Sequence, residues 1–263
     1  MKRFFYTILT LVALLMTSCD ELEPQERLIY VEPPEVSRAV LIEDFTGQYC
    51  VNCPRATEEI ERLIEEYGDT TVIAVAIHSG PFSKNQGAYT PLYTAQGDEY
   101  FSHWGLSAQP VGLVDRMFSS YPFEYTDWAG AVNYELERKA PVSIIVEAER
   151  EEGNICHANV VVIGLDSALV KGKLQVWLVE DSIDSFQLMP NGSREEHYNH
   201  MHVFRASLNG AWGDDISLNH GQVVEKTYSI PMDAAWKPQH CSIVAFVYDE
   251  ENVKQVFKSK LIY

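Results

Sequence analysis

The chain has 263 residues, is 46% hydrophobic and carries a formal net charge of −18. There is enough apolar material for a sizeable core, and an acidic balance of this size excludes nucleic acid and anionic lipid as electrostatic partners. Five cysteines are the other compositional lead, because their use depends on whether the chain leaves the cytoplasm.

The opening segment says that it does. Lys2 and Arg3 precede an apolar run that ends at Met16 and is followed by Thr17-Ser18-Cys19. The run is too short to span a bilayer and small residues stand before the cysteine, so residues 1–18 read as a secretion signal. The arrangement resembles a bacterial lipoprotein signal, which implies cleavage before Cys19 and a membrane anchor through lipid on that residue. The other reading is a soluble secreted protein with an incidental cysteine. Losing Lys2 and Arg3 takes the mature chain to about −20, which reinforces the charge argument. Residues 19–37 form an acidic tether, Asp20-Glu-Leu-Glu-Pro-Gln-Glu followed by Pro33-Pro34, too polar to bury. Acidic residues directly after the cysteine resemble the surface-export signal of some Gram-negative lipoproteins; a charged linker is the plainer explanation. The expected location is the outer membrane, lipid-anchored, with the cell surface and the periplasmic face both open to it.

Val40 to Phe45 reads as a buried strand, and Cys50 and Cys53 stand two residues apart where a helix begins. Ala56, Ile60, Leu63, Ile64 and Tyr67 form one apolar stripe, and Gly68 supplies the stop. Pro54 is tolerated because the first turn has no partner for its missing N–H. Thr71 to His78 is a continuous apolar run of the kind a strand buried on both faces needs. The unit is βαβ, with a dithiol at its carboxyl edge. A thiolate at a helix N-terminus is favoured by unpaired N–H groups and the helix dipole. Cys50 is then the attacking thiol and Cys53 the resolving one. The alternatives are a structural disulfide or half of a metal site. Zinc takes a second pair of ligands at similar spacing and the sequence has none, so no metal and no cofactor are assigned.

The segment Glu43-Asp-Phe-Thr-Gly-Gln-Tyr-Cys-Val-Asn-Cys53 resembles the active-site stretch of the thioredoxin superfamily. The resemblance implies that Asp44 is the buried acid assisting proton transfer, and that Tyr49 replaces the usual tryptophan at the substrate side. Trp104-Gly-Leu-Ser-Ala-Gln-Pro-Val-Gly-Leu-Val-Asp115 resembles the cis-proline strand of the same superfamily. Pro110 would lie beside the dithiol, with the Gln109–Pro110 peptide bonding the substrate strand.

His78 ends the second strand at the dithiol edge, either tuning Cys50 or serving as an ordinary polar strand end. Residues 79–87 read as a loop, and Thr90-Pro91 as the cap and first position of a helix running to Trp104. Val111 to Val114 is a strand, with Met117 to Ser119 the strand returning from a turn. Thr126 caps a helix carrying Trp128, Val132 and Leu136, which Ala140-Pro141 ends.

Beyond residue 140 the period changes to alternation. Seven segments read as strands: 141–149, 154–163, 173–180, 200–207, 222–230, 241–248 and 253–262, with no amphipathic helix among them. The expected architecture is an α/β thioredoxin-like domain over 38–139 followed by an all-β, Ig-like sandwich over 140–263. Cys156 and Cys241 in the second domain are free to pair in an oxidising compartment. His197, His200 and His202 cluster there with a spacing that suits a metal or, more simply, a polar strand face. Leu208-Asn-Gly-Ala-Trp-Gly213 reads as a packed corner.

Taken together, the lipoprotein-type signal, Glu43-Asp-Phe-Thr-Gly with Cys-x-x-Cys-Pro, the Gln-Pro strand and His202-Val-Phe-Arg-Ala-Ser-Leu-Asn-Gly-Ala-Trp-Gly213 resemble the twenty-eight-kilodalton outer-membrane protein family of Gram-negative anaerobes. That family is described as surface lipoproteins proposed as adhesins or receptors. Two functions follow as expectations. One is extracytoplasmic thiol–disulfide exchange with a protein dithiol or disulfide, through Cys50, Cys53 and Asp44. The other is a surface-exposed binding lipoprotein in which Cys50–Cys53 is a static bridge.

Overall fold

The computed structural model describes residues 36–262. The signal peptide, Cys19 and most of the acidic tether lie outside the described residues. In chain order the strands are β1 Val40–Thr46, β2 Val72–His78, β3 Lys84–Asn85, β4 Ala88–Tyr89, β5 Val111–Val114, β6 Val142–Glu151, β7 Ile155–Gly164 and β8 Val170–Glu180. They continue with β9 Ile183–Leu188, β10 Arg194–His200, β11 Val203–Ser207, β12 Asp214–Leu218, β13 Val223–Pro231, β14 Cys241–Tyr248 and β15 Val253–Lys260. The helices are α1 Cys53–Tyr67, α2 Ala95–His103, the single turn α3 Met117–Ser120, and α4 Trp128–Leu136.

The chain is mostly β, and the expectation of an α/β thioredoxin-like domain followed by a separate Ig-like sandwich is corrected. β1, β2 and β5 do not make a sheet of their own. They end an eight-stranded mixed sheet of order β15-β14-β8-β11-β2-β1-β5, with β12 also paired to β8. β1 and β2 are parallel over seven pairs, β5 runs antiparallel to β1, and the outer edge of β2 is taken by β11 through Val203 and Ala76. The physical reason is edge pairing. β2 has unpaired backbone groups at its edge, and a strand from the far half of the chain satisfies them, with Ala76 N donating to His202 O at 2.8 Å.

Three apolar clusters hold this sheet. α1 and α4 cover one face of the β1–β2–β5 end, bringing Ala56, Ile60, Leu63, Trp128 and Val132 against Val40, Ile42, Val72 and Val114. On the opposite face Leu41, Phe45, Ile73, Val75 and Ile77 pack with Tyr100 and Phe101 of α2, and with Trp177, Phe204 and Phe246 from the C-terminal half. Those rings make the two halves of the chain one body. The third cluster lies between β8–β14 and a three-stranded sheet of order β13-β7-β6. β7 alternates buried and half-buried positions throughout, whereas β14 is buried at every position because both its faces are covered.

Several local expectations meet a different outcome. Thr94, not Thr90, caps α2, its Oγ1 accepting from Gly97 N at 3.0 Å. The expected returning strand at Met117–Ser119 is the turn α3, in a stretch where Asp115, Arg116, Phe118 and Ser120 all have φ between 46° and 65°. The strand expected over 200–207 breaks at Met201–His202 into β10 and β11. β9 and β10 pair only with each other, as a hairpin outside the main sheet.

Candidate functional site

β1 ends at Thr46, α1 begins at Cys53, and the turn between them carries the dithiol. Cys50 and Cys53 are joined as a disulfide with Cα atoms 5.4 Å apart. Pro54 occupies the first helical turn, as its missing N–H predicts. Gly47 is required by close approach: a Cβ there would lie 2.7 Å from the Phe82 carbonyl carbon. The loop is tied down by Tyr49 N donating to Phe82 O at 2.9 Å and Cys50 N to Gly47 O at 3.0 Å.

Asp44 stands in the middle of β1 and lines a small cavity with Cys53, His78, Gln187, Tyr198 and His200. The cavity holds about 20 Å³, room for one water. Asp44 is fully buried, and its Oδ1 has no hydrogen-bond partner. Burial alone pushes its pKa up to about 8, so the carboxyl is protonated at neutral pH. His78 is neutral for the converse reason: burial first, then His200 and Arg205, hold its imidazole well below the ordinary 6.5. Its Nδ1 also lacks a partner. Burial likewise lowers His200 to about 4, and its Nε2 lies 3.3 Å from Phe186 O. The two imidazole rings meet edge to face at 5.3 Å.

Register brings the second predicted motif to the same edge. Thr46 pairs with His78 and Phe45 with Val111, so the Gln109–Pro110 peptide, which is cis, falls opposite the end of β1. Gln109 is a strut: its Nε2 donates to Thr46 O at 2.6 Å and Ser79 O at 3.0 Å, and its Oε1 accepts from Phe82 N at 3.4 Å. Tyr49 packs its ring 5.2 Å from Phe186 and accepts a hydrogen bond from Asn85.

Sequence reasoning missed the cover. The β9–β10 hairpin lies over the dithiol loop, leaving Cys50 and Cys53 each 2% exposed. Gln187 Nε2 donates to Cys50 O at 2.9 Å. Gln48, fully buried, donates to Ser185 Oγ at 2.9 Å and Phe186 O at 2.7 Å, while its own carbonyl accepts from Leu188 N at 2.9 Å. The hairpin is rooted at Ser182 and His202, with φ of 57° and 58°, and Asp181 Oδ1 accepts from His202 N at 2.6 Å. The two glutamines were unmarked because a glutamine in a polar strand gives no pattern; their spacing from the cysteines, 137 residues for Gln187 and Cys50, is invisible locally.

The remaining candidates disperse. Cys156 and Cys241 are free, buried thiols in the third cluster, so the pairing left open to them is not formed. Burial pushes them up to about 11 and about 12. His200 lines the cavity, His202 sits in the left-handed break beside Asp181, and His197 is exposed against Asp184. Among the described residues no three His, Cys, Asp or Glu side chains converge as a metal site, and no described helix is long and apolar enough to cross a membrane.

Comparison with known proteins places the chain. HBP35 of Porphyromonas gingivalis shares the fold, with a TM-score of 0.66 at 17% identity over 86% of this chain and 76% of that one. A domain of the outer membrane lipoprotein Omp28 from the same organism is 25% identical over 47% of this chain and 89% of its own, with a TM-score of 0.34. No curated protein matches. The family model for outer membrane protein Omp28 matches residues 97–262, a stretch that begins beyond the dithiol. The chain belongs to the Omp28 family of outer-membrane proteins.

Proposed function

We propose that this outer-membrane protein, anchored through lipid on Cys19, exchanges disulfides with protein partners through Cys50 and Cys53. The observation that carries the reading is a protonated, unpartnered Asp44 on the wall of the cavity that Cys53 lines. A partner thiolate attacks Cys50 Sγ, the Cys50–Cys53 bond breaks, and the electron pair leaves on Cys53 Sγ, which takes its proton from Asp44. The partner's second thiol then attacks the mixed disulfide, releasing Cys50 and giving up its own proton. The partner dithiol is thereby oxidised by two electrons and the Cys50–Cys53 pair reduced; the reverse sequence reduces a partner disulfide. Val51 in the dithiol loop and Phe82 bonded to it are 39% and 38% exposed, a surface that suits an extended apolar peptide. Access to Cys50 requires the β9–β10 hairpin to lift. Cys50→Ser should abolish reduction of insulin disulfides by dithiothreitol-recycled protein; undiminished turnover in that variant would sink the proposal.

One observation favours a second reading. Both sulfurs are 2% exposed under the hairpin, as a static brace would be in a surface-binding lipoprotein of the adhesin or receptor kind. Glutathione titration separates the two. A reduction potential between roughly −270 and −120 mV marks an exchange catalyst, and one below about −300 mV marks a brace.

A further inference from the structure

The strained stretch after β5 holds aromatic rings in solvent. Phe118, in the left-handed region at φ 53°, is 63% exposed; Tyr121 is 58% and Tyr134, on α4, 53% exposed. They are one patch. Phe118 lies 6.1 Å from Tyr134 and 6.4 Å from Phe123, and Phe123 lies 5.1 Å from Tyr121, centroid to centroid. Between Phe118 and Tyr134 is an open hollow of about 230 Å³, also lined by the buried Met117 and Glu135. A contiguous exposed aromatic patch marks an interaction surface, and a left-handed aromatic is a costly way to make one by accident.

The occupant follows from where the chain joins the body. Arg38, among the first described residues, reaches Asp115 Oδ2 at 2.5 Å and Glu135 Oε2 at 3.1 Å. These residues open the strained stretch and follow Tyr134, so the start of the described chain lies beside the patch. Eighteen residues, Asp20 to Ser37, separate Cys19 from Arg38, a stretch that spans at most about 65 Å when fully extended. In a family of outer-membrane proteins, a tether of that length leaves the patch beside Arg38 within reach of the bilayer. Tyrosine and phenylalanine suit the headgroup boundary, with an apolar body and, for tyrosine, a polar tip. A net charge of −18 means such contact gains nothing from anionic headgroups.

We propose that Phe118, Tyr121, Phe123 and Tyr134 form a membrane-interface patch that seats the body on a neutral phospholipid surface. It rests on the outer-membrane location and the Cys19 anchor and is independent of thiol exchange, so failure of either leaves the other standing.

The test uses the lipidated chain on vesicles of phosphatidylcholine and phosphatidylethanolamine whose acyl chains carry bromine. The indole introduced by Phe118→Trp should lose at least half of its added emission, relative to unbrominated vesicles; no loss overturns the proposal. The mature chain with Cys19→Ser should sediment with unbrominated vesicles of the same lipids. Adding Phe118→Ser, Tyr121→Ser and Tyr134→Ser should lower its partition tenfold or more, and phosphatidylglycerol should weaken partition further. Equal partition of the triple variant overturns it, as does an unlipidated chain that self-associates through the patch in solution and ignores vesicles. Should the triple variant misfold, the quenching result decides alone.

Discussion

Two neighbouring acids on β1 meet opposite fates. Glu43 and Asp44 are consecutive, both essentially without exposure, and point to opposite faces of the sheet. Glu43 receives Arg116 in a two-pronged pair at 2.7 and 2.9 Å. The guanidinium is itself enclosed by rings, with its carbon 4.4 Å from Tyr248, 5.0 Å from Phe246 and 5.1 Å from Trp104. Asp44 has no counter-charge and keeps its proton. A buried carboxyl that is paired is structural. One that is left unpaired holds its proton instead, the feature on which the proposed exchange rests.

The sharpest way to break this contrast is to remove the partner on the structural side. Arg116→Met leaves Glu43 buried and uncompensated and should cost about 3–5 kcal/mol, read by urea unfolding. A cost under about 1 kcal/mol would mean that Glu43 is not held as an ion. On the other side, Asp44→Asn should be tolerated. Asp44 holds its proton to about pH 8 in the fold and to about 3.8 in the unfolded chain. Between those values the folded state binds the extra proton, so wild-type stability falls as pH rises from about 4 to about 8. The asparagine variant should lose that slope and gain on the order of a few kcal/mol at pH 8. Its disulfide exchange should slow by about a hundredfold; a variant that retains both the slope and the rate would remove Asp44 from the chemistry.

The smallest change concerns the cover. Gln187→Ala frees the hairpin from the Cys50 carbonyl at a cost of about 1 kcal/mol. If the hairpin gates the disulfide, dithiothreitol should reduce the variant severalfold faster than wild type. Unaltered reduction kinetics would show that access is controlled elsewhere.

The legible parts of the sequence were those whose cause is local. The stripe from Ala56 to Tyr67, Pro54 at its start and Gly68 at its end were all visible because a helix records its buried face every three to four residues. So were the apolar runs of β1, β2 and β14 and the alternation of β6 and β7. The pairing of Val203 with Ala76, which fuses the two expected domains into one sheet, leaves no local trace. The β9–β10 hairpin was missed because its residues are mostly polar and half-buried or exposed without alternation, so neither period is written in them. At the site, Cys50, Cys53 and the cis peptide at Pro110 were readable as motifs, whereas Gln48 and Gln187 acquire meaning only from the fold.

The two free thiols bear on how the molecule is made. Four cysteines in the described body allow three complete pairings, and an exported chain meets oxidant before it has finished packing. Once packed, Cys156 lies in the core with its pKa near 11, ionised in about one molecule in ten thousand at pH 7. Cys241 is further protected by donating its S–H to the Lys237 carbonyl at 3.4 Å. Neither can compete as a nucleophile for the Cys50–Cys53 bridge. The closed core thus keeps both thiols away from the Cys50–Cys53 bridge.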